Sequence, residues 1–228
     1  MVSAVVLLSG GLDSSTVAAI AKERGYDIIA VTFDYGQRHR RELDSARSVA
    51  KALGVREHIV IGLPIGQHLD SSLTSAGKEV PMGRPREHIS SDIPSTYVPS
   101  RNIIFLSIAA SVAESRGAGA VFIAANSVDF SGYPDCTPEF LAAFQATLDI
   151  GTKAGKEGRG VKVEAPVLRM TKAEIVREAV RLRVPLELTW SCYMGGAKAC
   201  GRCDSCVLRL EGFREAGVAD PIEYEVRR

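Results

Sequence analysis

The hydrophobic positions along the chain follow two alternating patterns. Mostly apolar runs of strand length predict buried strands, which lie at Val2–Leu8, Asp27–Tyr35, Glu57–Leu63, Ala120–Ala125 and Val161–Leu168. Apolar residues spaced three and four positions apart predict helices, which lie at Leu12–Arg24, Glu42–Leu53, Ile103–Arg116, Pro138–Ile150 and Thr171–Leu182. The alternation predicts an α/β fold, doubly wound around a mainly parallel sheet of about five strands.

Two regions depart from this alternation. Residues 64–99 contain five prolines and several serines, which predicts a long mobile loop that acts as a lid. From Trp190 onward, clustered cysteines and a short helix predict a separate small knuckle. The expected organisation is therefore an α/β domain over residues 1–189 and a metal-binding segment over residues 190–228.

Composition and charge narrow the class of protein. The 228 residues are 46% hydrophobic and 24% charged, as in ordinary globular proteins, which excludes a disordered chain or a coiled coil. The net charge of +1 supplies no strong field for a polyanion, so we expect no stable nucleic-acid partner. No apolar stretch has membrane length, and Lys22 is the first cation, so we expect a cytoplasmic protein with neither signal peptide nor membrane partner.

The string SGGLDSS at residues 9–15 joins the first predicted strand to the first helix. Glycines permit close approach of a ligand, and free N–H groups at a helix start bind anions. The Asp13 carboxylate could hold Mg²⁺ beside phosphates, although a tight turn with an Asp or Ser cap is an alternative. The string resembles the pyrophosphate loop of the N-type ATP pyrophosphatases. That resemblance implies ATP contacts from Leu8, Ser9, Gly10, Gly11, Leu12, Asp13, Ser14, Ser15, Thr16, Val17 and Ala18.

Four of the five cysteines lie close together, at Cys192, Cys200, Cys203 and Cys206. This C-x7-C-x2-C-x2-C spacing predicts four thiolates around one tetrahedral Zn²⁺, which would be a closed, structural site with one ion per chain. An iron–sulfur cluster and a redox-active C-x-x-C pair are alternatives. The bacterial ferredoxin pattern is absent, because Val207-Leu208-Arg209 follows the last cysteine.

Seven stretches together resemble the 7-cyano-7-deazaguanine synthases, the nitrile-forming enzymes of queuosine biosynthesis. They are SGGLDSS at 9–15, FDYGQRHRRE at 33–42, TYVPSRN at 96–102, DFSGYPDC at 129–136, TKAEI at 171–175, TWSCY at 189–193 and CGRCDSCVLRLEGFREAGVADPIEY at 200–224. The resemblance implies a fold like that of the adenine nucleotide alpha hydrolases, and a homodimer. It implies a ligase that forms carbon–nitrogen bonds, converting 7-carboxy-7-deazaguanine, ammonia and ATP to the nitrile through an adenylated acid and an amide. A tRNA-modifying ATP pyrophosphatase and a non-catalytic nucleotide- or zinc-binding module are the alternatives.

Under this resemblance, polar residues at the carboxyl edge of the sheet become candidates for substrate binding. They are Asp34, Gln37, Arg101, Asn102, Asp129, Tyr133 and Asp135. Two parts of this set have a simpler structural alternative: Asn102 could cap the helix that we expect to follow it, and the glycine- and proline-marked segment around Tyr133 could be a plain turn. Arg40 and Arg41 could be solvated residues at a helix start. We expect Cys136 to be buried and unreactive, and we assign no role to the four histidines.

Overall fold

A parallel sheet of five strands forms the centre of the protein in the computed structural model, which describes residues 2–75, 77–89, 93–128 and 132–226. The strands are β1 (Ser3–Leu7), β2 (Asp27–Asp34), β3 (Glu57–Gly62), β4 (Ala120–Phe122) and β5 (Lys162–Glu164). Their order is β3-β2-β1-β4-β5, and every neighbouring pair is parallel. β2 and β3 lie on one side of β1, whereas β4 and β5 lie on the other, so the order of strand addition reverses between β1 and β4. Ligands of such sheets bind at this point, beyond the carboxyl ends of the strands.

Helices cover both faces of the sheet, as predicted. In the described ranges they are α1 (Leu12–Glu23), α2 (Arg41–Leu53), α3 (Arg86–Ile89), α4 (Arg101–Arg116), α5 (Pro138–Gly151), α6 (Lys153–Lys156), α7 (Lys172–Arg181) and α8 (Asp204–Ala216). Successive β1 side chains point to opposite faces, so Val6 joins the core under α1, α2 and α7, while Val5 joins the core under α4 and α5. This two-sided burial explains why β1 is apolar from Ala4 to Leu7, and it confirms the doubly wound α/β fold.

Some element boundaries differ from the sequence-based prediction. α4 begins at Arg101 instead of Ile103, because Ser100 adopts a left-handed conformation that turns the chain directly into the helix. β4 ends at Phe122, and the three apolar residues after it continue along the sheet edge, where Ile123 and Ala124 line a cavity. α7 follows Thr171, which forms the predicted capping box with Glu174.

The segment predicted as a mobile loop contains a short 3-10 helix at Gly66–His68 as well as α3. Its contacts with the rest of the chain include a hydrogen bond from the Arg38 guanidinium to the Lys78 carbonyl at 2.8 Å and one from the Gly83 N–H to the Arg202 carbonyl at 2.7 Å. Its mobility stays a prediction. No helix in the described part of the chain combines the length and the apolar content needed to cross a membrane.

The cysteine segment packs against the α/β core through α8. This helix lies along α7, and its Phe213 is buried in the core beneath α1. The cysteines themselves form a smaller apolar cluster with Trp190 and Ile222. The division into two domains at residue 189 stays a prediction.

Candidate active site

A cavity lies beyond the carboxyl ends of β1, β2 and β4, at the place where the strand order reverses. Its walls come from the loop after β1, the end of β2, the start of α4, the segment after β4 and the cysteine segment. The chain thus brings regions from residue 7 to residue 209 around one space, and nine of the predicted site residues line it.

The SGGLDSS loop forms one end of the cavity. Gly11 is the N-cap of α1, and no side chain caps this helix, so the alternative of a turn with an Asp or Ser cap is wrong. Ser14 instead turns back toward the strand: its Oγ accepts the Ser9 N–H at 3.2 Å and lies 3.0 Å from the Ser9 Oγ. A helix start without a side-chain cap offers its N–H groups and dipole to an anion.

The predicted ATP residues divide into two sets. Those that line the cavity are Leu8, Ser9, Gly11, Leu12, Asp13 and Ser14. Gly10 lies behind the loop, with its Cα hydrogens facing the backbone of α2. The remaining four, from Ser15 to Ala18, are buried within α1 and do not line the cavity. The helical periodicity turns Val17 and Ala18 toward the core, where they contact neighbouring apolar side chains.

Asp13 is paired with a lysine that the sequence interpretation missed. The Lys172 ammonium lies 2.7 Å and 3.0 Å from the two carboxylate oxygens of Asp13. Lys172 is the first residue of α7, is only 6% exposed, and lines the cavity. A buried lysine beside the uncapped start of α1 adds positive charge where phosphates would lie. The capping box at Thr171 could have located this residue at a helix start, but not its partner.

The segment after β2 contributes residues other than those predicted. Gln37 is 3% exposed and locks its own turn, because its amide accepts the Tyr35 N–H at 2.8 Å and donates to Glu42 at 2.8 Å. Asp34 pairs with the Arg40 guanidinium, so neither predicted residue lines the cavity. Tyr35, Glu42 and His39 line it instead. His39 had no role assigned from the sequence. Its Nε2 lies 3.3 Å from the Glu42 carboxylate, and its buried Nδ1 has no partner in the described chain.

Asn102 and Asp135 bind each other instead of facing the cavity together. The Asp135 carboxylate accepts the Asn102 N–H at 3.0 Å, and the Asn102 amide donates to the Asp135 carbonyl at 3.1 Å. The alternative in which Asn102 caps the helix is therefore wrong, because Asn102 lies inside the first turn of α4 and Asp135 from another segment accepts its N–H. Asn102 still reaches the cavity wall, whereas Asp135 is buried behind it. Asp129, the remaining candidate of this group, lies outside the described residues.

An arginine and several phenols form the other end of the cavity. Arg101, Tyr35, Tyr133 and Tyr193 all line it, and the Tyr133 hydroxyl lies 2.7 Å from the Thr96 Oγ. Burial raises the pKa of Tyr35 to about 12 and also raises that of Tyr133, so both phenols are protonated and neutral near pH 7.

The thiol on this part of the wall is Cys136, which was expected to be unreactive. Burial raises its pKa to about 11, with a further contribution from the charge of Asp135. The thiolate is the reactive form of cysteine, so this shift favours the inert thiol near neutral pH, in agreement with the expectation.

The four clustered cysteines bring their sulfur atoms together at one point. All four Sγ atoms are within 4.8 Å of one another, and those of Cys200 and Cys206 are 3.9 Å apart. Four thiolates at about 2.3 Å from one zinc ion would be about 3.8 Å apart, so the donor set and its size fit this metal. Backbone N–H groups of Met194 and Cys200 donate to the Cys192 sulfur at 3.4 Å and 3.3 Å. The sulfurs therefore converge as one four-ligand site.

Two contacts join the cysteine segment to the phosphate loop. The backbone N–H of Trp190 donates to the Gly10 carbonyl at 2.9 Å. The Arg41 guanidinium donates to the carbonyls of Gly196 and Ala197, both at 2.6 Å, and stacks 3.8 Å from the Trp190 ring centroid. Arg41 is exposed at the start of α2, which agrees with its interpretation as a solvated residue, and it also bridges α2 and the cysteine segment.

Comparisons with known proteins agree with this architecture. A family model described as "Queuosine biosynthesis protein QueC" matches residues 3–217 of the chain. The 7-cyano-7-deazaguanine synthase of Thermoplasma acidophilum is 54% identical over 229 residues, covering 97% of this chain and 92% of that protein. The enzyme of the same name from Acetivibrio thermocellus is 52% identical over 226 residues, covering 98% of each chain.

A solved structure supports the fold alone. It is titled as a predicted subunit of tRNA methyltransferase from Methanocaldococcus jannaschii, and it has a TM-score of 0.50 at 18% identity, covering 79% of this chain and 75% of that one. The family assignment comes from the sequence comparisons, which extend over almost the whole chain and confirm the predicted resemblance. The chain belongs to the QueC family of queuosine biosynthesis proteins.

Proposed function

We propose that this protein is an ATP-dependent ligase that converts 7-carboxy-7-deazaguanine and ammonia to 7-cyano-7-deazaguanine. Its relatives bear the name of this product. The observation that carries the proposal is the cavity, which has an uncapped helix start and a buried lysine at one end and an arginine among phenols at the other. One end suits a polyphosphate, and the other suits an aromatic acid.

The reaction needs two activations of oxygen. A carboxylate is a poor electrophile, so its oxygen first attacks the α-phosphorus of ATP, which releases pyrophosphate and gives an acyl adenylate. Ammonia then displaces AMP and loses a proton, which leaves the amide. The amide oxygen is adenylated in the same way by a second ATP, and departure of AMP with loss of two protons from nitrogen leaves the nitrile. Both adenylates are sensitive to hydrolysis, so the site must exclude water.

The phosphate end of the cavity has the groups that these steps require. The first-turn N–H groups of α1 and the hydroxyls of Ser9 and Ser14 bind the polyphosphate, and Lys172 neutralises part of its charge. When Mg²⁺ accompanies ATP, Asp13 is the carboxylate that would hold it, and the ion would neutralise further phosphate charge.

The substrate end is assigned to the deazapurine. Tyr133 and Tyr35 offer apolar ring surface with hydroxyl groups at its edge, which suits a flat heterocycle with polar substituents. Asn102, Gln37 and Asp135 act through the hydrogen bonds that position α4 and the turn after β2. The Asp34 carboxylate, paired with Arg40 away from the cavity wall, is no longer proposed to bind substrate.

The cysteine cluster is proposed to hold one structural zinc ion. The convergence of four thiol groups and their spacing support this choice. With all four positions of the metal taken by sulfur, the ion would have no open position for substrate, and its role would be to order the wall that includes Tyr193 and Ser205. We also propose that the protein is a cytoplasmic homodimer that acts on small molecules. We propose no stable nucleic-acid partner, because the net charge of +1 supplies no strong field for a polyanion.

The decisive experiment is a reconstituted reaction. Purified protein with 7-carboxy-7-deazaguanine, ammonium and Mg-ATP should form the nitrile, with AMP and pyrophosphate released, as detected by mass spectrometry and chromatography. Asp13→Ala should abolish turnover, because it removes the carboxylate at the phosphate end. Asp44→Ala is the matched control, since Asp44 is exposed on α2 and pairs with Arg47 alone among the described residues. Absence of nitrile with the wild-type protein, or near-normal turnover by the Asp13 variant, would contradict the proposal.

A further inference from the structure

The cations that line the cavity differ in how their charges are balanced. Among the described residues, the Lys and Arg side chains on its wall are Arg101, Lys172 and Arg209. Lys172 is paired with Asp13 at 2.7 Å, and Arg209 is paired with Asp220 at 2.8 Å. Arg101 forms no ion pair with any described carboxylate, although it lies on the wall of the same cavity.

None of the groups closest to Arg101 is a carboxylate in direct contact with its guanidinium among the described residues. Tyr35 forms a side-chain hydrogen bond with Arg101 and Tyr133 lies near it, and both are neutral phenols near pH 7. The Asp135 carboxylate binds the Asn102 N–H behind the wall, and its charge contributes to raising the pKa of Arg101, but it forms no ion pair with the guanidinium. A guanidinium is always charged in proteins, and a partly buried charge that is hydrogen-bonded to a neutral phenol but not paired with an anion gains stability when an anion binds beside it. The structure therefore has a place for an anion beside Arg101.

The position of Arg101 separates this anion from the phosphates of ATP. The phosphate loop leads into α1, which packs on one face of the sheet, whereas Arg101 begins α4 on the opposite face. The two helix starts meet the cavity from opposite sides of β1. With the polyphosphate at α1, the remaining anion of the proposed reaction is the carboxylate of the deazapurine acid.

We propose that Arg101 binds this carboxylate, with the hydroxyl groups of Tyr35 and Tyr133 beside it, so that the acid and not the amide intermediate is its ligand. This assignment rests on the proposed function. The guanidinium holds one carboxylate oxygen by charge-assisted hydrogen bonds and leaves the other oxygen directed at the α-phosphorus. The amide carries no charge, so Arg101 contributes to the first stage of the reaction far more than to the second.

Separate substrates for the two stages test this assignment. Arg101→Met keeps an unbranched apolar stem but removes the guanidinium and its charge. Affinities for 7-carboxy-7-deazaguanine and for 7-amido-7-deazaguanine are measured by calorimetry. A hydrogen bond to a charged group makes a difference of roughly 10- to 100-fold in affinity. We expect the acid to lose affinity by this factor and the ratio of acid to amide affinity to fall by at least tenfold. Single-turnover rates of each stage should show the same ratio.

Two further variants control the experiment. Arg40→Met removes a cation near the same sheet edge that is 73% exposed and paired with Asp34, and it should leave the acid-to-amide ratio unchanged. Arg101→Lys restores the charge without the planar fork and should recover part of the lost acid affinity. Melting temperatures of all variants establish that each one is folded.

The outcomes separate this assignment from the proposed function. Equal losses of affinity for the acid and the amide in an active Arg101→Met variant would overturn the role of Arg101. Reduced affinity for ATP with unchanged affinity for the acid would also overturn it, and would assign Arg101 to nucleotide binding. Failure of the wild-type protein to form nitrile from either substrate would overturn the proposed function itself.

Discussion

Replacing Gly10 by alanine tests how tightly the phosphate loop is packed against α2. Gly10 has a φ of +79°, in the left-handed region that disfavours a side chain. A Cβ at this position would lie 2.7 Å from the Glu42 carbonyl oxygen and 2.8 Å from the Ser45 carbonyl carbon, and closer still to the Ala46 nitrogen. These are backbone atoms within a helix, so none of them can rotate away. The loop or α2 must move.

The expected destabilisation has two parts. Holding alanine in the left-handed region costs about 1–2 kcal/mol, and overpacking against a fixed backbone typically costs about 1–3 kcal/mol. Together they should lower the free energy of unfolding by about 3 kcal/mol. In a chain of this size each kcal/mol lowers the melting temperature by about 2–4 °C, so Gly10→Ala should melt about 10 °C below wild type. Its ATP affinity should also fall, because the loop is displaced.

The next glycine provides a matched control. Gly11 has a φ of −79°, and a Cβ there would lie 3.5 Å from the Ser9 hydroxyl oxygen and 3.6 Å from the Trp190 carbonyl oxygen, which are ordinary contacts. Alanine at an N-cap costs less than about 1 kcal/mol relative to glycine, so Gly11→Ala should melt within about 3 °C of wild type. Scanning calorimetry of both variants decides the matter. Equal melting temperatures for the two variants would refute the role of the contact with α2.

Three other changes test further parts of the structure. Arg209→Met should lower the free energy of unfolding by about 3–5 kcal/mol in urea titrations, because it leaves the Asp220 carboxylate charged at 2% exposure. Adding Asp220→Leu to this variant should restore part of the lost free energy of unfolding. No recovery in the double variant would contradict the pairing. Cys203→Ser should lose bound zinc by elemental analysis and expose residues 190–210 to protease, whereas full zinc retention would argue against a four-thiolate site. At pH 8, iodoacetamide should modify Cys136 more slowly in the folded chain than in urea, with the rate rising toward pH 11, since only the thiolate reacts; equal rates at pH 8 would contradict the raised pKa.

The fold could be predicted because its signals are local. Each strand is a short apolar run, and β1 is apolar on both faces because helices cover both faces of the sheet. The phosphate loop was also local, since seven consecutive residues carry it. The start of α4 was misplaced because Ser100 adopts a left-handed conformation, and a serine in the sequence does not indicate such a conformation.

The partners within the site could not be predicted. Lys172 lies 159 positions from Asp13, and nothing near it in the sequence distinguishes it from a solvated lysine. Asn102 and Asp135 were assigned to substrate because both lie at the carboxyl edge of the sheet, yet they bind each other. Edge position follows from topology, whereas the choice between a ligand and a neighbouring side chain depends on distances that a linear pattern does not contain.

The contact between Trp190 and Gly10 has a consequence for how the enzyme is made. All five strands precede residue 165, so a nascent chain can assemble the whole sheet while its cysteine segment is still inside the ribosome. At that stage the Gly10 carbonyl lacks the Trp190 N–H, and the wall carrying Leu208 and Arg209 is absent. The phosphate loop is thus among the first parts synthesised and among the last to be completed. Prematurely terminated chains should fold in part but consume no ATP.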